Sequence, residues 1–399
     1  MLDWPAEDEE IKLANALVVL SSTSEDGEIE VQISVGMFCK HDSMDGEIDQ
    51  WENTSLRVDD CIWTVAKNEV VSKEAKMAVC KSVLMPTLFY GCEEWVCQEK
   101  HKELDAVSDA ELQPLKEAEV IVADCNLLAP YLYQLNAKWI QGTWAGVEPL
   151  LNSIDSSKPP LPYQFTRFSG RFFGIAMAEY VVSNIVNWER DYKNVYRGQC
   201  EGIWIKDKVF ADYRTISDLT IGILGMGAIG KHVSQVLKGF DAQVWAMART
   251  IPEPKDRCPY VDEYRSVSEL PDLLQNCDYV VAMLPATIET NNFLGGDILK
   301  NCELKKSVLM SVGRGNVISE QDIVKSIENG WISGAILDVF AQEPLPKTSL
   351  LWKIPQVIIT PHYAATTRGI DVAKLFKENL EKYCANQPLP NIVHVNKGY

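Results

Sequence analysis

The sequence predicts an α/β fold built on a doubly wound parallel sheet, with a second, smaller α/β domain beside it. Three observations carry that reading. From about residue 119 the chain alternates short apolar runs with helical text, as parallel βαβ units do. Six strand-like runs fall within roughly 145 residues of the second half. One of them leads into a glycine-rich turn that opens a helix.

Taken in order, Val120-Ile121-Val122-Ala123 and Lys138-Trp139-Ile140-Gln141 read as buried strands. The stretch Lys158-Pro159-Pro160-Leu161-Pro162 reads as a boundary or rigid loop. A long helix is expected over residues 173–196, with Ile175, Val182, Ile185 and Val186 on its apolar positions. The six strands that follow begin at Thr220, Ala242, Tyr279, Ser307, Ala335 and Val357, and a helix over residues 368–384 closes the pattern. The expected domain map is a discontinuous substrate domain over 103–172 and 366–399, a dinucleotide-binding domain over 173–365, and an atypical acidic extension over 1–102.

Composition narrows the class. With 24% charged and 46% apolar residues the chain is an ordinary globular protein. No apolar run approaches the roughly 18 residues of a membrane span, and the acidic start does not look like a leader, so a cytoplasmic protein is expected. The eleven cysteines are scattered without a CxxC pair, which predicts reduced, mostly buried thiols and no metal site. The net charge of −18 is uneven. Residues 1–102 hold 21 acidic and 9 basic residues (−12), leaving 35 and 29 (−6) for the rest. An acidic body argues against nucleic acid as a partner.

The motif Gly225-Met226-Gly227-Ala228-Ile229-Gly230 follows a strand ending at Leu224 and precedes a helix from Lys231. In that setting the glycines serve a tight turn, close approach of a pyrophosphate, and helix–strand packing. The diphosphate is then held at the helix N-terminus. This makes the second domain Rossmann-like. At the end of the next strand, where an NAD enzyme usually carries Asp or Glu, stand Ala248, Arg249 and Thr250. Guanidinium and hydroxyl suit a 2′-phosphate. NADP is the favoured cofactor, with NAD the alternative.

Polar groups end three later strands, in Ser311-Val312-Gly313-Arg314-Gly315, in Leu337-Asp338-Val339 running on to Glu343, and in Thr360-Pro361-His362. Strand carboxyl ends line the ligand crevice of an open α/β sheet. Arg314 can pair with a carboxylate and polarise its 2-keto group, and His362 can protonate that oxygen as hydride reaches carbon. Glu343 would hydrogen-bond the ring and fix its tautomer.

At these residues the chain resembles the D-isomer-specific 2-hydroxyacid dehydrogenases, most closely their NADP-using glyoxylate/hydroxypyruvate reductase branch. The resemblance runs from about residue 103 to the end. It implies a flavodoxin-like substrate domain, Arg314 on the substrate, and Glu343 with His362 as acid/base pair. It also implies Asp338, Pro285 and Thr290 on the nicotinamide side, and Trp144, Ala145, Gly146 and Val147 as the loop whose amides hold the substrate carboxylate. Glu343 argues against the formate dehydrogenase branch. A small 2-keto or 2-hydroxy acid is the implied partner, in a homodimer formed through the cofactor domain. A dinucleotide-sensing corepressor-like protein, or an inactive fusion, is the competing reading.

The first strand and helix of such a substrate domain are not found ahead of residue 109. Glu28-Ile29-Glu30-Val31-Gln32-Ile33 alternates like a strand, but no βαβ rhythm follows. Residues 15–102 instead resemble a degenerate piece of a non-LTR retroelement reverse transcriptase, above all from Met85 to Trp95. The substrate domain is therefore expected to be incomplete. The alternative is that a segment such as Ala78-Val79-Cys80 supplies the missing strand.

Overall fold

A run such as Val120-Ile121-Val122-Ala123, apolar at every position, reads as a strand covered on both faces, and all four residues are buried. The computed structural model describes residues 14–23, 30–38, 115–116, 118–205 and 213–395. They divide into two compact units, one ending at Phe168 and resuming at Thr367, the other running from Ser169 to Thr366.

The first unit contains β1 (Ala14–Thr23), β2 (Glu30–Phe38), β3 (Val120–Ala123), β4 (Trp139–Gly142) and β5 (Gln164–Thr166). Helices α1 (Cys125–Leu128) and α2 (Glu148–Asn152) lie between them in sequence. The sheet order is β2-β1-β3-β4-β5, the flavodoxin order by position. All neighbours are parallel except β1 and β2. One part of the sequence expectation changes here, because a strand ahead of residue 109 does join the sheet. The strand not found ahead of residue 109 is β1, paired through Leu17, Val18, Val19 and Leu20 with Val120, Ile121, Val122 and Ala123. Its sequence, Leu17-Val18-Val19-Leu20, is a continuous apolar run of the kind central parallel strands carry. The alternation seen from residue 28 belongs in part to β2, the edge strand. The segment at Ala78-Val79-Cys80 and the stretch from Met85 to Trp95 lie outside the described residues.

The second unit opens with α3 (Arg171–Glu189) and α4 (Tyr192–Glu201). A single helix over 173–196 is thus corrected to two. Asp191, with φ 47°, takes a left-handed conformation that no helix continues through. Seven strands follow: β6 (Thr220–Leu224), β7 (Gln243–Met247), β8 (Glu263–Arg265), β9 (Tyr279–Ala282), β10 (Val308–Ser311), β11 (Gly334–Leu337) and β12 (Val357–Ile359). Their order, β12-β11-β10-β9-β6-β7-β8, is fully parallel and reverses direction between β6 and β9. That is the Rossmann switch point. The short edge strand β8 carries too little apolar text to be read from sequence.

Helices cover both faces of this sheet. Val181 and Ile185 of α3, with Val233 and Leu237 of α5 (Ala228–Lys238), pack on Ile221, Ile223 and Val281. Leu270, Leu273 and Leu274 of α6 (Leu270–Asn276) and Ile323 of α7 (Glu320–Glu328) pack on Val280, Leu309 and Leu337. The last helix, α8 (Gly369–Cys384), belongs to the first unit, where Phe376 and Leu380 cover Val120, Val122 and Trp139.

Cys125, Cys258, Cys277 and Cys302 are buried and Cys200 is exposed. Burial, with Asp124 and Glu148 nearby, pushes the Cys125 thiol up to about 12, so it packs as a neutral group. Among the described residues no helix is long and apolar enough to cross a membrane.

Candidate active site

The glycine loop is shaped for a dinucleotide residue by residue. Gly225 leaves β6 with φ +114°, and a Cβ there would stand 2.8 Å from the Met283 carbonyl oxygen. A Cβ at Gly230 would meet the Gly225 oxygen at 2.2 Å, so only hydrogen lets α5 sit this close to the turn. Gly227, the N-cap of α5, differs: a Cβ there meets nothing within 4 Å. Gly227 and Ala228 are exposed, while Met226 and Ile229 pack on the core below. Open space over a glycine at a helix N-terminus is what a diphosphate requires. These residues fit the cofactor.

At the adenosine end, the Ala248 amide closes on the Arg265 carbonyl at 2.9 Å, which leaves Arg249 and Thr250 exposed just past β7. The Glu289 carboxyl is held below its usual range, first by Thr287 and also by the charge of Arg249. Beyond β9, the Thr290 hydroxyl donates to the Pro285 carbonyl at 2.6 Å and accepts from the Thr287 amide at 2.8 Å. Thr290 thereby sets the shape of the loop that Pro285 begins.

Arg314 stands between two glycines that the backbone demands. A Cβ at Gly313 would lie 2.5 Å from the Leu284 oxygen, and one at Gly315 would lie 1.9 Å from the Phe340 carbonyl carbon. Both neighbours are pressed into adjacent loops, which fixes where the Arg314 side chain leaves the chain. One of its guanidinium nitrogens donates to the Gly313 carbonyl at 2.8 Å.

Past β12, His362 Nδ1 lies 2.6 Å from Glu343 Oε2. The other Glu343 oxygen accepts the Phe340 amide at 2.8 Å, so the carboxylate is anchored before it meets the ring. A carboxylate accepts only, so Nδ1 carries its proton and Nε2 is the nitrogen left to exchange one with substrate. The imidazole is half exposed, at 50%, so a reacting group can reach it. His362 has φ +53°, which a non-glycine residue rarely adopts without support.

That support comes from Asp338, which is buried. One of its oxygens accepts the Thr360 hydroxyl at 2.6 Å and the Tyr363 amide at 2.9 Å, and the other accepts the Ala364 amide at 3.0 Å. The His362 amide itself donates to the Asp338 carbonyl at 2.9 Å. Sequence reasoning named Asp338 only as a nicotinamide contact and did not see that it clamps the histidine turn. The three residues between Thr360 and Ala364 were the available signal.

In the first unit, the carbonyls of Trp144, Ala145 and Gly146 accept from the Phe168 amide at 3.0 Å, Arg167 Nη1 at 3.4 Å and Cys125 Sγ at 3.6 Å. Because N–H and C=O of a trans peptide point oppositely, the amides of Ala145, Gly146 and Val147 are turned away from those donors. Thr143, just before them, donates to the buried Asp124. The structure thus gathers Arg314, Glu343, His362, Asp338 and the glycine loop in one unit, with the 144–147 loop in the other.

Comparison with known proteins follows the same division. Residues 182–364 match the family model described as "D-isomer specific 2-hydroxyacid dehydrogenase, NAD binding domain". The chain is 31% identical to a glyoxylate/hydroxypyruvate reductase A of an Enterobacter species over 259 residues, 64% of this chain and 80% of that protein. A D-isomer specific 2-hydroxyacid dehydrogenase family protein from Aeromonas salmonicida superposes with a TM-score of 0.61 at 33% identity, over 72% of this chain and 88% of its own. A second such dehydrogenase, from Xanthobacter autotrophicus and solved with NADPH and MES, gives a TM-score of 0.61 at 28% identity, over 71% and 86%.

Proposed function

Because the chain belongs to the D-isomer specific 2-hydroxyacid dehydrogenase family, we propose that it reduces a small 2-keto acid of the glyoxylate or hydroxypyruvate type to its D-2-hydroxy acid with NADPH. The observation that carries this reading is the Glu343–His362 pair at 2.6 Å, in the unit that also holds the glycine loop and Arg314. A nicotinamide dinucleotide held by its diphosphate at the glycine loop would supply the hydride. Arg314 pairs with the substrate carboxylate and draws electron density from the neighbouring carbonyl. His362 gives the proton on Nε2 to the carbonyl oxygen, and the anchored Glu343 stabilises the cation before transfer. One hydride and one proton are consumed for each hydroxy acid formed.

The discriminating experiment is steady-state reduction of glyoxylate and hydroxypyruvate with each cofactor. NADPH should give the higher kcat/KM, because Arg249 and Thr250 stand exposed where an acid would repel the 2′-phosphate. The pair Ala248→Asp with Arg249→Ala should lower NADPH use by about 10- to 100-fold, the worth of a charge-assisted contact, and raise NADH use. Equal use of both cofactors by the parent protein contradicts the assignment. Cofactor binding without turnover of any 2-keto acid favours a dinucleotide sensor instead.

The homodimer is part of the same reading. Tyr192 (52% exposed), Tyr196 (66%), Ile203 (57%) and Trp204 (88%) present large apolar side chains along and just after α4 in the cofactor unit. So much apolar surface in one short stretch suits a second copy of the chain. Light scattering should give twice the mass of the chain, and Tyr196→Glu with Trp204→Glu should halve it. The retroelement resemblance near Met85 bears on the origin of that segment, and the mechanism assigns it no role.

A further inference from the structure

Tyr180 lies on α3 and is 7% exposed. Its hydroxyl is 2.7 Å from Thr360 Oγ1, and Thr360 Oγ1 is 2.6 Å from Asp338 Oδ1. Which hydroxyl donates in the first contact follows from the second. Asp338 already receives the amides of Tyr363 and Ala364, so it acts as an acceptor and takes the single Thr360 proton. Tyr180 must then donate to Thr360. Burial pushes the Tyr180 phenol above its usual range, which keeps that proton in place. The same ring meets Tyr363 edge-on at 6.2 Å and 87°. One side chain on α3 therefore touches residues 360 and 363, on either side of the left-handed His362.

We infer that Tyr180 is a positioning residue for the reduction: the directed chain Tyr180–Thr360–Asp338 holds the turn that aims His362. The inference rests on the reading of His362 as the acid. Neither Tyr180 nor Thr360 touches the reacting atoms. Their effect is to keep an unfavourable backbone conformation in one state, so that the ring meets Glu343 and substrate in a single orientation.

The test is a double-mutant cycle on the full-length enzyme, read in kcat with NADPH and glyoxylate. Tyr180→Phe keeps the ring and its contact with Tyr363 and deletes only the donor. It should lower kcat about tenfold, the fold-change expected for one directed hydrogen bond, with NADPH affinity and glyoxylate KM within about twofold of the parent. Thr360→Val should lose at least as much, and Thr360→Ser, which restores the hydroxyl, should recover most of it. The double variant Tyr180→Phe/Thr360→Val should be no slower than Thr360→Val alone, because the two act in series. Full kcat in Tyr180→Phe, or simple multiplication of the two losses, overturns the inference, as does a Thr360→Ser enzyme as slow as Thr360→Val. His362→Ala separates the two levels of the argument. If it turns over normally, the acid assignment falls. If it is inactive while Tyr180→Phe is at full rate, only the positioning role falls.

Discussion

His362→Ala is expected to remove keto-acid reduction while leaving NADPH binding within about twofold of the parent. The ring lies past the end of β12, half exposed, and its hydrogen bond goes to Glu343 rather than to the glycine loop. Its removal takes away the proton donor and leaves the cofactor cradle formed by Gly225, Gly227 and Gly230 intact. Loss of positioned acid catalysis is worth about 10²- to 10⁴-fold, and water entering the vacated space replaces it poorly. Glu343→Gln should fall between the parent and this variant. The amide can still accept from Nδ1, but it no longer stabilises the charged ring. The direction of the pH dependence follows from the proton count. Reduction consumes a proton and hydroxy-acid oxidation releases one, so raising the pH favours oxidation over reduction. Stopped-flow hydride transfer and NADPH fluorescence titration measure the two halves of this expectation separately. Normal turnover in His362→Ala, or loss of NADPH binding with it, sinks the assignment.

The parts of this protein that were legible in sequence are those in which local chemistry and global fold agree. The Rossmann sheet was readable because each central strand is a continuous apolar run bounded by polar text, and because Gly225 and Gly230 are demanded by backbone contacts that any such turn makes, while Gly227 keeps the space over the helix N-terminus open. Arg314, Glu343 and His362 stood out because polar residues closing buried strands have few other uses. The clamp behind His362 was not readable. Asp338 lies 22 positions from Thr360 and Tyr180 lies 180 from it, and no periodicity joins them. Asp191 escaped notice because a left-handed residue inside helical text has no composition signal when it is not glycine. The first strand was overlooked for a different reason. The residues it pairs with β3, Leu17 to Leu20, form a single short apolar run between acidic flanks, and about 80 residues separate β2 from β3 where a short crossover is usual.

That strand gives the second large expected effect. Deleting residues 1–38 should abolish reductase activity and leave NADPH binding unchanged. β1 lies between β2 and β3, so its removal strips the backbone partners from Val120, Ile121, Val122 and Ala123. Those four residues are fully buried, and β3 leads directly to Asp124, which receives the Thr143 hydroxyl at the head of the 144–147 loop. β3 would become an open edge whose N–H and C=O groups pair with water or another chain instead of with the sheet, and losing about 0.5–1.5 kcal/mol of net stability per bond over four paired positions takes a large share of a domain stability of about 5–15 kcal/mol. The 144–147 loop would then lose the geometry that turns its amides, and with it the hold on the substrate carboxylate that we propose for it. The glycine loop belongs to the other sheet, where β6 pairs with β7 and β9, so cofactor binding does not depend on β1. Deleting residues 1–13 keeps both strands and is the matched control. A subtler variant, Val19→Pro, leaves the length unchanged but removes one backbone donor from a central strand, and should lower the melting temperature of the first unit sharply. Hydrogen exchange would localise the damage to residues 120–123 and 139–142. Full reductase activity after deletion of residues 1–38 would return the segment to the status of a dispensable extension, and would show that β3 is stable as an edge.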